Sequence, residues 1–216
     1  MATVTTTIGT GGGRDYSPIT LWEADLDNSG VYSASDDAVG EVYNDSVFDE
    51  SVTFNGGNTI GLSSVTLTVP ESERHDGTAG SGSRVVKSSP VNILFNTQMS
   101  GIPLTIEWLE LDCGGGTASQ RGISAGGGSA VVVNVYRCIV HNLSANNNNV
   151  FGLKNSNCSP RFPRNIVYVL NAAGSNAFDV VGIQTGDINS ARLYNNVPSG
   201  MTTDNGTGAC PGIQPT

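Results

Sequence analysis

Three carboxylates on one predicted strand are the side chains best placed to act on a bound substrate. Glu107, Glu110 and Asp112 fall within this strand. Because side chains alternate along a strand, Glu110 and Asp112 share a face and can project together into a groove. Two carboxylates across a sugar can supply the acid and the base or nucleophile of glycosidic cleavage. The interpretation we favour is a solvated strand face with Leu109 and Leu111 pointing inward, and Glu110 and Asp112 remain as the alternative carbohydrate site.

The two histidines do not complete a recognisable catalytic or metal site. His75 lies in the charged segment 71–76, where a solvated loop with weak local ion pairs is expected. His141 follows Cys138 by three residues, and on a strand these two side chains face opposite ways, which disfavours a metal pair. No GxSxG motif precedes a helix, and the glycines at 11–13 are not followed by GK[ST]. The sequence therefore predicts no catalytic residue, no metal ligand and no cofactor.

Aromatic and amide side chains recur at related positions of the chain. Trp108, Tyr136 and Tyr194 can form a sugar-stacking stripe, but aromatic residues at recurrent positions are more often core or interface anchors. Asn165 and Asn196 are expected to stack as a short ladder, as side-chain amides do on in-register strands. Both features predict structural roles for these side chains.

The composition excludes several classes of protein. Of 216 residues, 38% are hydrophobic and 13% charged, which is too apolar and too weakly charged for a disordered acidic protein. The 28 glycines indicate frequent turns between short strands. A formal net charge of −9 repels phosphate backbones and anionic lipids, so neither nucleic acid nor a membrane is expected as a partner. The acidic pairs Asp36–Asp37 and Asp49–Glu50 lack EF-hand spacing and are predicted to be turn and surface charges.

The N-terminus and the cysteines bear on the compartment. MATVTTTIG has neither a basic segment nor an apolar core, so no export signal is expected and the chain is predicted to be made in a cytoplasm. Cys113, Cys138, Cys158 and Cys210 match no zinc-binding spacing. We expect reduced thiols that act as small core residues, with a bridge involving Cys210 left open.

One short amphipathic helix is predicted near the N-terminus. Ser17 suits the N-cap and Pro18 the first helical position. Ile19, Trp22 and Leu26 then fall on one helical face. This helix is expected to cap the first turn of the fold, because its apolar face can cover an otherwise open end.

The remainder of the chain has the pattern of short strands joined by turns. Five early segments are rich in β-branched or aromatic residues: Val39 to Tyr43, Ser51 to Phe54, Ser64 to Val69, Arg84 to Val86 and Val91 to Phe95. The polar, glycine-containing stretch Glu71 to Ser83 is predicted to be a projecting loop.

A repeat of about thirty residues follows. The pairs Gly122–Ile123, Gly152–Leu153 and Gly182–Ile183 are spaced by 30 residues each time. Between them, Arg137 to His141 matches Arg164 to Tyr168 with an offset of 27 residues. Such a period without helical patterning predicts stacked coils of strands. The predicted fold is therefore all-β, a short right-handed parallel β-helix with an N-terminal capping helix.

Three parts of the chain follow from this pattern. Residues 1–30 are predicted to form an N-terminal strand and the capping helix, residues 31–200 the coils, and residues 201–216 a tail or cap. The tail shows no strand pattern, and we expect it to cover the last coil or to contact a neighbouring subunit.

Short segments resemble a family of viral proteins. Gly13 to Ser17, Trp22–Glu23 and Gly40 to Asp45 are similar to the opening of right-handed β-helix proteins encoded by bacteriophages, prophages and environmental viruses. The coils at Arg137 to His141 and Arg164 to Tyr168 are similar to the repeat strands of that family. The resemblance implies a tail, spike or other surface component of the virion, and some related β-helices cleave polysaccharide. The chain is shorter than spike-type members, which favours a capsid-decorating or adaptor-like part, or a truncated spike head, over a complete depolymerase.

The function expected from this reading is that of a non-enzymatic virion structural protein. It would act by assembly with other virion proteins and with further copies of itself, a trimer among the options. The alternative function is a carbohydrate-binding or polysaccharide-cleaving tail-spike fragment, with host polysaccharide as the partner of Glu110 and Asp112.

Overall fold

The computed structural model describes residues 1–87, 93–113, 119–126, 131–173, 179–185, 192–203 and 211–215, without the side chains of residues 93, 94, 194 and 215. The chain is an all-β parallel β-solenoid of about six turns, with one short helix near the N-terminus. The predicted fold class, a parallel β-helix with an N-terminal helix, is confirmed. Among the described residues, no helix is long and apolar enough to cross a membrane.

The described residues form one α-helix and nineteen strands. The helix is α1 (Ile19–Ala24), and a turn of 3-10 helix, Asp25–Asp27, follows it. The strands are β1 (Thr3–Ile8), β2 (Asp37–Val42), β3 (Val47–Phe48), β4 (Val52–Phe54), β5 (Ser64–Thr68), β6 (Arg84–Lys87), β7 (Ile93–Thr97), β8 (Leu104–Glu107), β9 (Glu110–Cys113), β10 (Gln120–Ala125), β11 (Val132–Tyr136), β12 (Ile139–Asn146), β13 (Val150–Asn155), β14 (Ser159–Pro163), β15 (Ile166–Ala173), β16 (Val180–Thr185), β17 (Arg192–Tyr194), β18 (Val197–Thr203) and β19 (Ile213–Pro215).

The strands form three parallel sheets that run along the solenoid. Sheet 1 has the order β1-β2-β5-β8-β11-β14-β17, sheet 2 the order β3-β6-β9-β12-β15-β18, and sheet 3 the order β4-β7-β10-β13-β16-β19. Each coil contributes one strand to each sheet, and neighbouring coils lie about 4.8 Å apart in the hydrogen-bonding direction. Residues that occupy equivalent positions in successive coils therefore stack into columns.

The repeating glycines mark the closest approach of two sheets. Ile123, Leu153 and Ile183 are direct register partners on sheet 3, so the glycines that precede them also stack. A Cβ added to Gly152 would collide with the Cγ1 of Val167 on sheet 2 and lie 2.6 Å from the carbonyl oxygen of Gly182. Sheet 2 and sheet 3 can therefore approach this closely only where sheet 3 has no side chain.

The column continues one coil further than the sequence comparison indicated. Gly212 follows Gly182 by 30 residues, and a Cβ on Gly182 would lie 2.6 Å from the carbonyl oxygen of Gly212. Ile183 pairs with Ile213, so the tail carries β19 as a further strand of sheet 3. The expectation of a tail without strands is wrong, because the periodic Gly-Ile pair recurs within it.

The helix covers the first strand of sheet 3. Ile19, Trp22 and Leu26 are fully buried, and α1 packs on β4. The helix begins at Ile19, and neither Ser17 nor Pro18 caps it with a side chain. Instead the Glu50 carboxylate accepts hydrogen bonds from the backbone N–H groups of Ile19 (2.8 Å) and Thr20 (2.9 Å).

Two of the carboxylates predicted at the surface instead accept hydrogen bonds that stabilise the backbone. Glu50 is buried at the helix start, where it satisfies two N–H groups that the helix leaves unpaired. Asp36 is also buried and accepts hydrogen bonds from the backbone N–H groups of Ala2 (3.0 Å) and Ser33 (2.9 Å). The prediction of surface charges is wrong for both, because each carboxylate accepts hydrogen bonds from backbone N–H groups. The donors to Glu50 are distant in the sequence, and Asp36 has one distant donor, Ala2, and one in an adjacent turn, Ser33.

Buried polar and thiol side chains complete the interior. The predicted amide ladder is confirmed: Asn165 Nδ2 donates to Asn196 Oδ1 (3.3 Å), and Asn165 Oδ1 accepts from the backbone N–H of Cys138 (3.0 Å). Cys113, Cys138 and Cys158 are free and buried, as expected for core thiols. Burial raises the pKa of Cys138 and Cys158 to about 12, so both remain thiols at neutral pH. Cys210 lies outside the described residues.

We predict that Gly152→Ala lowers the free energy of unfolding by about 3 kcal/mol, because the added methyl overpacks the contact between sheets 2 and 3. Urea denaturation followed by circular dichroism measures this change. Gly12→Ala is the matched control, since a Cβ at Gly12 meets no atom within 4 Å. Equal stability of the two variants would contradict the proposed close contact.

Candidate functional site

The corner between sheet 1 and sheet 2 has an unusual backbone in four successive coils. Trp108, Arg137, Arg164 and Asn195 have φ angles of 63°, 51°, 60° and 54°. Non-glycine residues adopt this left-handed conformation rarely, so its recurrence defines a sharp corner at which large side chains are held one above the next. Trp108 also separates β8 from β9. Glu107 therefore lies on a different sheet from Glu110 and Asp112, and the prediction of a single strand for all three is wrong.

Trp108 is engaged by cations at this corner. The guanidinium carbons of Arg74 and Arg137 each lie 4.9 Å from the centre of a Trp108 ring. Cation–π contact of this kind favours both partners when they are partly desolvated. The alternative of a sugar-stacking stripe fails for Trp108, because the register partner of Tyr136 in the preceding coil is Glu107. The Tyr194 side chain lies outside the described residues.

The polar segment 71–83 folds back onto the protein. His75, within it, is only 6% exposed, and its Nε2 lies 2.7 Å from the carbonyl oxygen of Arg137. Its ring centre lies 5.6 Å from that of Trp108. The predictions of a projecting loop and of a solvated His75 are wrong, because the histidine is the buried anchor of the loop. Burial lowers the pKa of His75, so its ring is neutral at neutral pH.

A cavity of about 330 Å³ lies between this loop and the corner. Its lining includes His75 and Asp76 from the loop, and Arg137 and Arg164 from the corner. A second depression of about 220 Å³ adjoins it, and the same two arginines line it together with Tyr136. We call these two depressions together the corner groove.

Arg137 and Arg164 are the charged feature of the corner groove. They occupy equivalent positions in neighbouring coils, and Arg164 is exposed. Among the residues that the structure describes, neither arginine forms a salt bridge. Because Arg137 and Arg164 follow each other in register, two like charges share the groove, and an anion bound by both would offset their repulsion.

The two arginines of the corner groove belong to the cationic part of an acidic chain, and segment 71–83 on its other side belongs to the acidic part. Residues 1–112 contain four Lys or Arg and sixteen Asp or Glu, a formal charge of −12. Residues 113–216 contain six Lys or Arg and three Asp or Glu, a formal charge of +3. The net charge of −9 for the whole chain conceals this uneven distribution of charge. Counting charged residues separately in the two parts of the sequence reveals it.

A second polar group lies on the outer face of sheet 2. Asp112 and His141 are register partners on β9 and β12, and Glu110 lies two residues before Asp112 on the same face, as the sequence predicts. His141 Nε2 lies 2.9 Å from Glu110 Oε1, and the backbone N–H of Gly80 donates to Glu110 Oε2 (2.6 Å). Glu110 is only 1% exposed, so the expectation of a solvated strand face is wrong for it, because segment 71–83 covers it.

Opposing effects set the protonation of this pair. Burial alone would raise the pKa of Glu110, but hydrogen bonds from His141 and Gly80 and the nearby positive charges hold it below its usual value. Burial alone would lower the pKa of His141, but the bond to Glu110 and the charges of Asp112 and Glu110 raise it. Because Glu110 is ionised and accepts only, Nε2 of His141 must carry the proton of their hydrogen bond.

The pair of carboxylates predicted as a carbohydrate site does not line the corner groove. Glu110 is covered by segment 71–83, and the Asp112 side chain is 26% exposed on the sheet surface. Sequence reasoning placed both on one face correctly but missed His75, His141 and the arginines. His141 was recognisable only as the coil equivalent of Tyr168, on which it stacks with ring centres 4.9 Å apart.

Comparisons with known proteins give little beyond the architecture. No protein-family model matches the chain, and no curated protein matches it. The chain is similar to a solved structure, the deglycosylated pectin methylesterase of Aspergillus niger, with 14% sequence identity and a TM-score of 0.42. The match covers 99% of this chain and 86% of that one.

We predict that His75→Ala releases segment 71–83. The variant loses the contact with the Arg137 carbonyl and leaves a cavity beside Trp108. Together these two effects lower the free energy of unfolding by about 2 kcal/mol. Limited trypsin digestion, read as cleavage after Arg74, should then be at least several-fold faster than in the unmodified chain. Ser72→Ala, at an exposed position of the same segment, is the control and should leave the rate unchanged. Equal cleavage of all three proteins would refute an anchoring role for His75.

Proposed function

We propose that this chain is a binding module for acidic polysaccharide, which it holds in the corner groove without cleaving it. The observation that carries the proposal is the stacked pair Arg137 and Arg164, which share the groove and have no salt bridge among the described residues. Guanidinium groups bind carboxylate and sulfate oxygens through paired hydrogen bonds. The same corner position is Trp108 in the coil before Arg137 and Asn195 in the coil after Arg164. The pair of arginines therefore spans two coils.

The form of the groove suits an extended chain with spaced charges. Tyr136 adds an aromatic wall beside the two arginines, and aromatic and polar side chains together are suited to sugar rings. Nucleic acid carries one charge per about 1.7 Å of duplex axis, and the formal charge of −12 on residues 1–112 repels such a density wherever the polymer extends beyond the arginines. A polyuronate carries one charge per sugar, which two arginines can neutralise locally.

The described lining of the groove contains one carboxylate and not a pair, which supports binding without cleavage. Glycoside cleavage by the common route uses two carboxyl groups across the scissile bond. Among the described lining residues, Asp76 is the carboxylate of the larger cavity. A hydrogen bond from the backbone N–H of Thr78 lowers the pKa of Asp76, which makes it a poor proton donor at neutral pH. Glu110 and Asp112 lie outside the groove.

The expectation of a virion component remains a prediction. A rigid solenoid that presents a polysaccharide-binding groove would suit a decorating or tail-associated part that contacts a host surface. Copurification with assembled particles at a fixed stoichiometry is the measurement that bears on it. The chain found only free in the cytoplasm would reject the virion assignment and leave the groove proposal intact.

We predict that Arg137→Gln/Arg164→Gln weakens binding of a polyuronate such as alginate by about tenfold or more, since charge-assisted hydrogen bonds are lost. Isothermal titration calorimetry at low ionic strength measures the affinity, which should fall as salt is added. Arg161→Gln/Arg192→Gln is the matched control. Those two arginines are also register partners in neighbouring coils, but they lie exposed on the open face of sheet 1.

The outcomes separate the proposal from its competitors. Loss of alginate binding only in the groove variant supports the proposal, and equal loss in both double variants would reduce it to a general charge effect. Tighter binding of single-stranded RNA than of alginate would replace polysaccharide by nucleic acid. Absence of binding to either polymer would overturn the proposed function.

A further inference from the structure

The outer face of sheet 2 brings three metal-binding side chains together outside the corner groove. One ligand atom each from Glu110, Asp112 and His141 lies within 4.8 Å of the others. The three come from two neighbouring coils, because Asp112 and His141 are direct register partners. Regular strand geometry thus fixes their relative positions, and no loop has to close to form the cluster.

The two ring nitrogens of His141 have different surroundings. Nε2 is 2.9 Å from Glu110 Oε1 and donates its proton there. Nδ1 is 4.0 Å from Asp112 Oδ1, which is too long for a hydrogen bond. In the neutral ring, Nδ1 carries the lone pair that would bind an ion, and Asp112 and Asn142 lie near His141. Tetrahedral coordination with metal–ligand bonds of about 2.0–2.2 Å places the two ligand atoms about 3.4 Å apart, so the partly exposed Asp112 carboxylate would have to move slightly toward His141.

The surroundings hold the donor groups in place. Tyr168 stacks on the His141 ring with planes 3° apart, and Asn142 Nδ2 donates to Asp112 Oδ1 (2.9 Å). The backbone N–H of Gly80 holds the far oxygen of Glu110. A histidine that donates one N–H to a carboxylate while its other nitrogen binds the ion is the usual arrangement around protein-bound metals.

We propose that His141 Nδ1 and the Asp112 carboxylate bind a divalent transition-metal ion, with Glu110 as the positioning residue that fixes the histidine ring. Nitrogen and carboxylate ligands favour an ion of the zinc type over calcium or magnesium, which prefer oxygen ligands alone. Water completes the coordination, because Asp112 is partly exposed. This site is independent of the proposed polysaccharide binding, since neither ligand lines the corner groove.

Zn²⁺ titration of the full-length chain tests the proposal. Calorimetry after removal of metal with a chelator should show saturable binding, and Asp112→Asn should weaken it by about tenfold or more. Asp112 is partly exposed, so this isosteric change should leave the circular dichroism spectrum unchanged. The control Glu71→Gln removes one negative charge at an exposed position of the covering segment and should retain full affinity.

Nitrogen-15 NMR of the histidine rings locates the ion. The chain contains two histidines, so His75 serves as an internal reference. Zn²⁺ should shift the Nδ1 resonance of His141 strongly and leave both nitrogens of His75 unchanged. The proposal is overturned if Zn²⁺ leaves His141 unshifted, if it shifts both histidines alike, or if Asp112→Asn binds Zn²⁺ as tightly as the unmodified chain.

Discussion

The contact between the glycine column of sheet 3 and the inner side chains of sheet 2 fixes how closely these two sheets approach in the last four coils. Val140, Val167 and Pro198 lie directly against Gly122, Gly152 and Gly182 in successive coils. A side chain at any of these three positions would overlap sheet 2, so each of these coils requires glycine there. The spacing of 30 residues persists into the tail, where Gly212 continues the column.

The functional features follow from that regularity. Because coils stack in register, one corner residue per coil becomes a column, and Arg137 and Arg164 are held side by side at about the strand spacing. The same stacking places Asp112 beside His141 on the outer face of sheet 2. Segment 71–83 then covers both regions, with His75 anchored at the corner and Gly80 bonded to Glu110.

Periodic features, including the ladder of Asn165 and Asn196, were predictable from the sequence, and contacts between non-equivalent positions of different coils were not. The glycine spacing, the match of Arg137 to His141 with Arg164 to Tyr168, and the amphipathic helix face depend on local pattern, and they gave the fold. The burial of Glu50, His75 and Glu110 depends on which distant backbone group each side chain meets. No local sequence pattern indicates that Glu50 accepts hydrogen bonds from the backbone N–H groups of Ile19 and Thr20. Glu50, as a charged side chain, was therefore expected at the surface.

The candidate sites show the same division. Alternation along a strand placed Glu110 and Asp112 on one face correctly, but their partner His141 comes from the next coil and was judged only against Cys138 on its own strand. The arginines of the corner groove begin the matching segments Arg137 to His141 and Arg164 to Tyr168, but this match predicts a repeat of the fold and not an anion site.

The central claim is that Arg137 and Arg164 together hold an anionic group of a polysaccharide. A crystal structure of the chain with an acidic oligosaccharide, at a resolution that shows carboxylate groups, tests it most directly. The account predicts a carboxylate between the two guanidinium groups, with adjoining sugars along the wall that Tyr136 forms. An oligosaccharide ordered elsewhere on the solenoid, with both arginines unliganded, would contradict it.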